Sequence, residues 1–159
     1  MTSAASVVLA LPAALRELLE VRAGLSGVAL LTGPRPVARG SDVLAVEKVR
    51  ATGSRQTFGR RDEQGSFTVV ADVERNGAGE DAIDAARERC AELLDEVVAA
   101  IDPETGDPTI GGTVLSSGES IEFEDVDNYV GERGSAATRG HTASVTVSFK
   151  ALIYPGASS

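Results

Sequence analysis

Apolar and polar residues alternate with two different periods along this chain. In "DAIDAARERCAELLDEVVAAID", Ile83, Ala86, Cys90, Leu94, Val97 and Ile101 recur at helical spacing, while Asp84, Arg87, Glu88, Glu92 and Asp95 take the opposite side. This predicts an amphipathic helix with Cys90 on its core face. In "HTASVTVSFKALIY" the period is two: Ala143, Val145, Val147, Phe149, Ala151 and Ile153 fall on one side, and Ser144, Thr146, Ser148 and Lys150 on the other. That is a long half-buried strand, which either pairs across a wide sheet or reaches beyond its own domain. "SFTVVADVE" repeats the alternation, with Phe67, Val69, Ala71 and Val73 inward and Thr68, Asp72 and Glu74 outward. The runs Val28 to Leu31 and Val43 to Val46 are apolar throughout, as buried strands are.

The punctuation between these runs sets the remaining elements. Pro12 followed by "AALRELLEVRAG" gives a helix entry, an apolar stripe through Leu15, Leu18 and Leu19, and Gly24 where a C-terminal cap belongs. Residues 1–11 then read as an N-terminal arm, residues 52–66 and 116–140 as exposed loops, and 155–159 as a tail. Within the second loop region, Ile121 and Phe123 alternate against Glu122 and Glu124 like a half-exposed strand. In "DPTIGGTVL", Pro108 and the Gly111-Gly112 pair end the connection from the main helix and return the chain to the sheet. Helix, strands, helix, strands without regular alternation implies an α+β fold: a mainly antiparallel sheet with two or more helices packed on one face, in a single domain.

A chain of 159 residues can bury roughly two-thirds of its unfolded surface, so it needs no staples. The single Cys90 excludes an internal disulfide framework and suits a reducing compartment. A formal net charge of −9 repels the phosphates that a nucleic-acid reader must neutralise. "MTSAASVVLALPAAL" has the length of a signal-peptide core but no basic residue before it, and no run reaches the ~18 apolar residues of a membrane span.

Signatures of catalysis fail on inspection. "GAGEDA" follows a strand and opens a helix, yet Glu80 and Asp81 occupy the first helical turn, where a pyrophosphate would be repelled, so a plain turn and cap is preferred. A calcium loop counted from Asp125 puts Tyr129 at its fifth position, Val130 where glycine belongs and Ala136 where the bidentate glutamate belongs. His141 is the sole histidine and has no nucleophile motif beside it. No metal or cofactor is expected. What remains is charge segregation: Lys48, Arg50, Arg55, Arg60 and Arg61 cluster around the first loop, and Glu119, Glu122, Glu124, Asp125, Asp127 and Glu132 before the last strand. Such clusters pair either within one chain or between identical subunits arranged head to tail, which closes into a ring.

"LPAALRELLE", "GRRDEQGSFTVVADV", "AIDAARERCAELLDEVVAAI" and "DPTIGGTV", in this order, resemble the tail terminator proteins of long-tailed bacteriophages over about Pro12 to Ile153. The resemblance implies a structural virion protein without catalytic residues. In this reading a homo-hexameric ring at the head-proximal end of the tail stops tube polymerisation and offers a docking surface to the head. The implied partners are further copies of itself, the tail tube protein and a head-completion or connector protein. DNA would be only a cargo passing through an acidic lumen, with no membrane involved and assembly in the host cytoplasm. The acidic stretch from Ser116 to Gly140 is longer than expected for the smallest such proteins and would contact the neighbouring head component. Two other readings stand beside it: another head-tail joining or tail-completion protein, and a small ligand-binding or enzymatic α+β domain using His141 with the acidic cluster.

Overall fold

A computed structural model describes residues 4–33, 42–55, 61–133 and 136–153. Helix α1 (Ala4–Glu20) leads through a single 3-10 turn (Ala23–Leu25) into the short strand β1 (Ala29–Leu31). Strands β2 (Val43–Arg55) and β3 (Arg61–Asn76) form a hairpin, helix α2 (Glu80–Ile101) crosses over, and β4 (Ser116–Arg133) and β5 (Ala136–Ile153) form a second hairpin. They assemble into one five-stranded sheet in the order β1-β2-β3-β5-β4. Every neighbouring pair is antiparallel except β1 with β2. The fold is α+β, as the alternation of periods implies.

Both helices cover one face. Phe67, Val69, Ala71 and Val73 of β3 and Val145, Val147, Phe149 and Ala151 of β5 pack with Ala86, Cys90, Leu93, Leu94 and Val97 of α2 into one core. The stripe on α1 is Val7, Leu11, Leu15 and Leu19, all buried and spaced by four. Helix α1 therefore begins eight residues before Pro12, and the reading of residues 1–11 as an arm is corrected: Ala4 to Leu11 are helical. A proline inside a helix costs about 3 kcal/mol. Burying Val7 and Leu11 returns about 1.5–3 kcal/mol each, enough to carry the helix through.

The two loop expectations are corrected as well. Residues 52–55 and 61–66 are strand, paired from Thr52↔Gln64 to Arg55↔Arg61. Residues 116–133 and 136–140 are the β4–β5 hairpin, paired from Ser116↔Lys150 to Arg133↔Ala136. In both places the sequence is rich in polar and charged residues, and backbone pairing between neighbouring strands sustains the hairpin. Residues 56–60, 134–135 and the tail 155–159 lie outside the described residues.

The connection after α2 is a clamped turn. Ile110, Gly111 and Gly112 have φ of 49°, 65° and 80°, a left-handed run that glycine tolerates and isoleucine resists. Asp107 holds it, accepting from the Thr109 amide (2.9 Å), the Thr109 hydroxyl (2.6 Å) and the Gly111 amide (2.9 Å). Complete burial of Ile110 rewards the strain. At the opposite end of the sheet, Asp42 accepts from Arg75 (2.7 Å) and Arg89 (2.9 Å), tying the start of β2 to β3 and α2. Burial alone would raise the Asp42 carboxyl, but the two guanidinium groups together outweigh it and hold it below its ordinary value.

Candidate functional site

The register of the sheet decides where the two charge clusters go. Thr68 and Thr146 share a hydrogen bond of 3.0 Å across β3 and β5 on the face without helices. Lys48 stands level with Thr68 and Arg50 with Ser66, and Glu122 is level with Thr146 and Glu124 with Ser144. All four charged residues therefore point to the helix-free face, and all four are exposed. They lie on opposite sides of the sheet, because β3 and β5 separate β2 from β4. Three strand spacings make about 14 Å, beyond the ~8–10 Å over which salt leaves exposed charges coupled.

Among the described residues, Lys48 and Arg50 thus do not meet Glu122 and Glu124 within one chain. Among the described residues, Lys48, Arg50, Glu122, Glu124 and Asp127 make no ion pair. Two other acidic members have local partners: Glu119 pairs with Lys150 at 2.8 Å, and Asp125 with His141 Nε2 at 2.5 Å. Lys150 holds the Glu119 carboxyl below its ordinary value. Arg55 and Arg61 are paired in register at the far end of the β2–β3 hairpin, Glu132 is level with Ala137, and Arg60 lies outside the described residues.

Both flanks of the sheet are open over part of their length. Strand β1 covers β2 only from Val43 to Ala45, and beyond that point no strand adjoins the outer side of β2 among the described residues. Strand β4 has β5 on one side and no described strand on the other. On the helix-covered face β4 presents Ile121 and Phe123, level with Val147 and Val145 of the core but 37% and 54% exposed. The alternation of Ile121 and Phe123 with acidic residues was visible in the sequence; their position on an open edge was not, since strand order is not encoded in periodicity.

Between α2 and this edge lies an open groove of about 430 Å³, lined by Arg87, Cys90, Leu94, Phe123, Asp125 and His141 among others. His141 is buried, with Nδ1 2.5 Å from Asn128 Oδ1 and Nε2 on Asp125, so both ring nitrogens are engaged. The Cys90 thiol donates to the His141 carbonyl at 3.3 Å, and burial pushes it up to about 12, so it stays protonated at neutral pH. This groove offers apolar contact and a fixed imidazole. A second hollow, of about 460 Å³, opens among Gln64, Ser117, Glu119, Ser148 and Lys150, where β4 departs from regular pairing.

Among the described residues, no cluster of His, Cys, Asp and Glu is arranged to hold a metal ion, and no helix is long and apolar enough to cross a membrane. Gly79 opens α2 with Glu80 and Asp81 in its first turn, the arrangement expected of a turn and cap. No protein-family model matches the chain, and no curated protein matches it in sequence.

Proposed function

We propose that this protein is a ring-forming structural component of a virus particle, of the tail-terminator kind, which caps the tail tube and presents a surface to the head. One observation carries the reading: a basic and an acidic edge stand on opposite sides of one sheet, with Lys48, Arg50, Glu122 and Glu124 exposed on the same face. A surface of this kind is complementary to a translated copy of itself rather than self-complementary, so it favours head-to-tail association and closure into a ring. The virion role comes from the resemblance of the ordered sequence motifs to tail terminators. The acidic balance of the chain agrees with a conduit for DNA, since a negative wall does not retain a passing polyanion. In this reading the protein makes and breaks no covalent bond, and its partners are its own copies, the tube and a head-completion protein.

The test is electron microscopy of the purified chain, alone and mixed with tail tubes from the same particle. Rings of uniform size seated on one end of the tubes are expected. A chain that stays monomeric by light scattering beside intact tubes, and decorates no tube end, would overturn the reading.

A further inference from the structure

We infer that the ring closes by strand addition: β2 of one copy pairs antiparallel with β4 of the next, Lys48–Ala51 lying against Ile121–Glu124. The inference rests on the ring reading and adds to it a backbone joint with a definite register. Three independent features of the sheet agree on it.

Strand direction is the first. β2 is antiparallel to β3, β3 to β5 and β5 to β4, so β2 and β4 run in opposite directions. A neighbour placed beside β4 with its strands in the same sense therefore brings its own β2 alongside antiparallel. The alternation of the sheet continues from copy to copy without interruption.

Side-chain chemistry is the second. An antiparallel register with Lys48 opposite Glu124 puts Val49 opposite Phe123, Arg50 opposite Glu122 and Ala51 opposite Ile121. Both charge pairs then fall on the helix-free face, where these residues already point. Both apolar pairs fall on the helix-covered face, where Val49 and Ala51 flank the core at one edge and the exposed Ile121 and Phe123 at the other. Acidic residues on an edge strand also deter non-specific pairing. Deterrence alone, however, would not leave Ile121, Phe123, Val126 and Val130 exposed on that strand or give the opposite edge the opposite sign.

The third feature is where pairing must stop. In one chain β1 occupies the outer flank of β2 up to Ala45, so an incoming β4 has to leave the ladder there. β2 carries an irregularity between Val46 and Lys48, and β4 carries one between Asp125 and Asp127. With Lys48 opposite Glu124 the two breaks come together, as bulges that end a ladder do.

The test uses the full chain with cysteine pairs, since the natural Cys90 is buried. Val49→Cys/Phe123→Cys and Arg50→Cys/Glu122→Cys sample the two kinds of antiparallel pair, at least one of which suits a disulfide. Mild oxidation should give a ladder of linked multimers on a non-reducing gel, about tenfold stronger than from the off-register pair Val49→Cys/Ile121→Cys. Hydrogen exchange on the unaltered chain, which needs no variant to fold, should show protection of residues 48–51 and 121–124 that grows with assembly. Rings that form without linking and without that protection would overturn strand addition while leaving the ring reading intact. A chain that never leaves the monomer in light scattering would overturn both.

Discussion

The hydroxyl of Tyr129 on β4 donates to the carboxylate of Asp72 on β3 at 2.5 Å, reaching across the whole width of β5. It can do so because its partner in register is Gly140: a Cβ there would sit 2.0 Å from the Tyr129 ring. The ring packs against the glycine, and the acid that its hydroxyl reaches is only 1% exposed. This arrangement fastens the edge strand to the sheet at a point where Asp127, Asn128 and Val130 are exposed.

Tyr129→Phe keeps the ring and removes the hydrogen bond to a buried carboxylate, which should cost about 1–3 kcal/mol. Gly140→Ala should cost more, because the ring must move. The two are coupled: in a Tyr129→Ala background, Gly140→Ala should lose most of its effect. Urea denaturation of the four chains of this double-mutant cycle checks it, and additive losses would show that the ring does not rest on the glycine.

Cys90 should resist alkylation in the folded protein. Its thiol is fully buried on the core face of α2, and burial raises it to about 12, so almost no thiolate exists near pH 8. Iodoacetamide labelling in graded urea should stay negligible until the unfolding transition and then follow the circular dichroism signal. Rapid labelling in native buffer would mean that α2 opens locally.

Much of this architecture is legible in the chain itself. α2, β3 and β5 each bury one face and expose the other, so Val145, Val147 and Phe149, or Ala86, Cys90 and Val97, leave a periodic trace. The trace fades in the polar stretches. Thr52 to Arg55 and Gln64 to Ser66 form a hairpin that composition presents as a loop, and β4 exposes both faces from Glu119 to Asn128. The start of α1 was hidden by Pro12, whose usual place is a first turn. The charge clusters were plain, but their assignment to opposite edges follows from the order β2-β3-β5-β4, which depends on long-range pairing.

Asp107 should make the protein sensitive to acid. Hydrogen bonds from the Thr109 hydroxyl and then the Gly111 amide lower its carboxyl below the ordinary value of 3.8. A group whose folded value is depressed stabilises the fold above its unfolded value and loses that contribution as pH falls through the folded one. Asp107→Ala should therefore cost about 1–2 kcal/mol at neutral pH, and the gap to the unaltered chain should narrow below pH ~4. Asp42, held down by Arg75 and Arg89, should act in the same direction, so Asp42→Asn should also flatten the acid limb. Thermal melts between neutral and acidic pH measure both, and a gap that widens on acidification would contradict the assignment of sign.

The two charged edges can be exchanged. Lys48, Arg50, Glu122 and Glu124 are exposed and make no ion pair among the described residues, so reversing them should change stability by no more than about 0.5 kcal/mol. Lys48→Glu/Arg50→Glu leaves both edges acidic, and Glu122→Lys/Glu124→Lys leaves both basic. Each variant alone should self-associate at least tenfold less than the unaltered chain by analytical ultracentrifugation, because like charges then face each other across the joint. All four changes in one chain should restore assembly, since each edge again meets its opposite. An equimolar mixture of the two double variants should also recover, but only by alternating copies, which closes a ring with an even number of subunits and leaves an odd one open. Raising salt from 0.1 M to 1 M shortens the screening length from ~10 Å to ~3 Å and should weaken self-association of the unaltered chain. Variants that associate as well as the original, or a fourfold swap that stays monomeric, would remove electrostatic complementarity as the source of head-to-tail order.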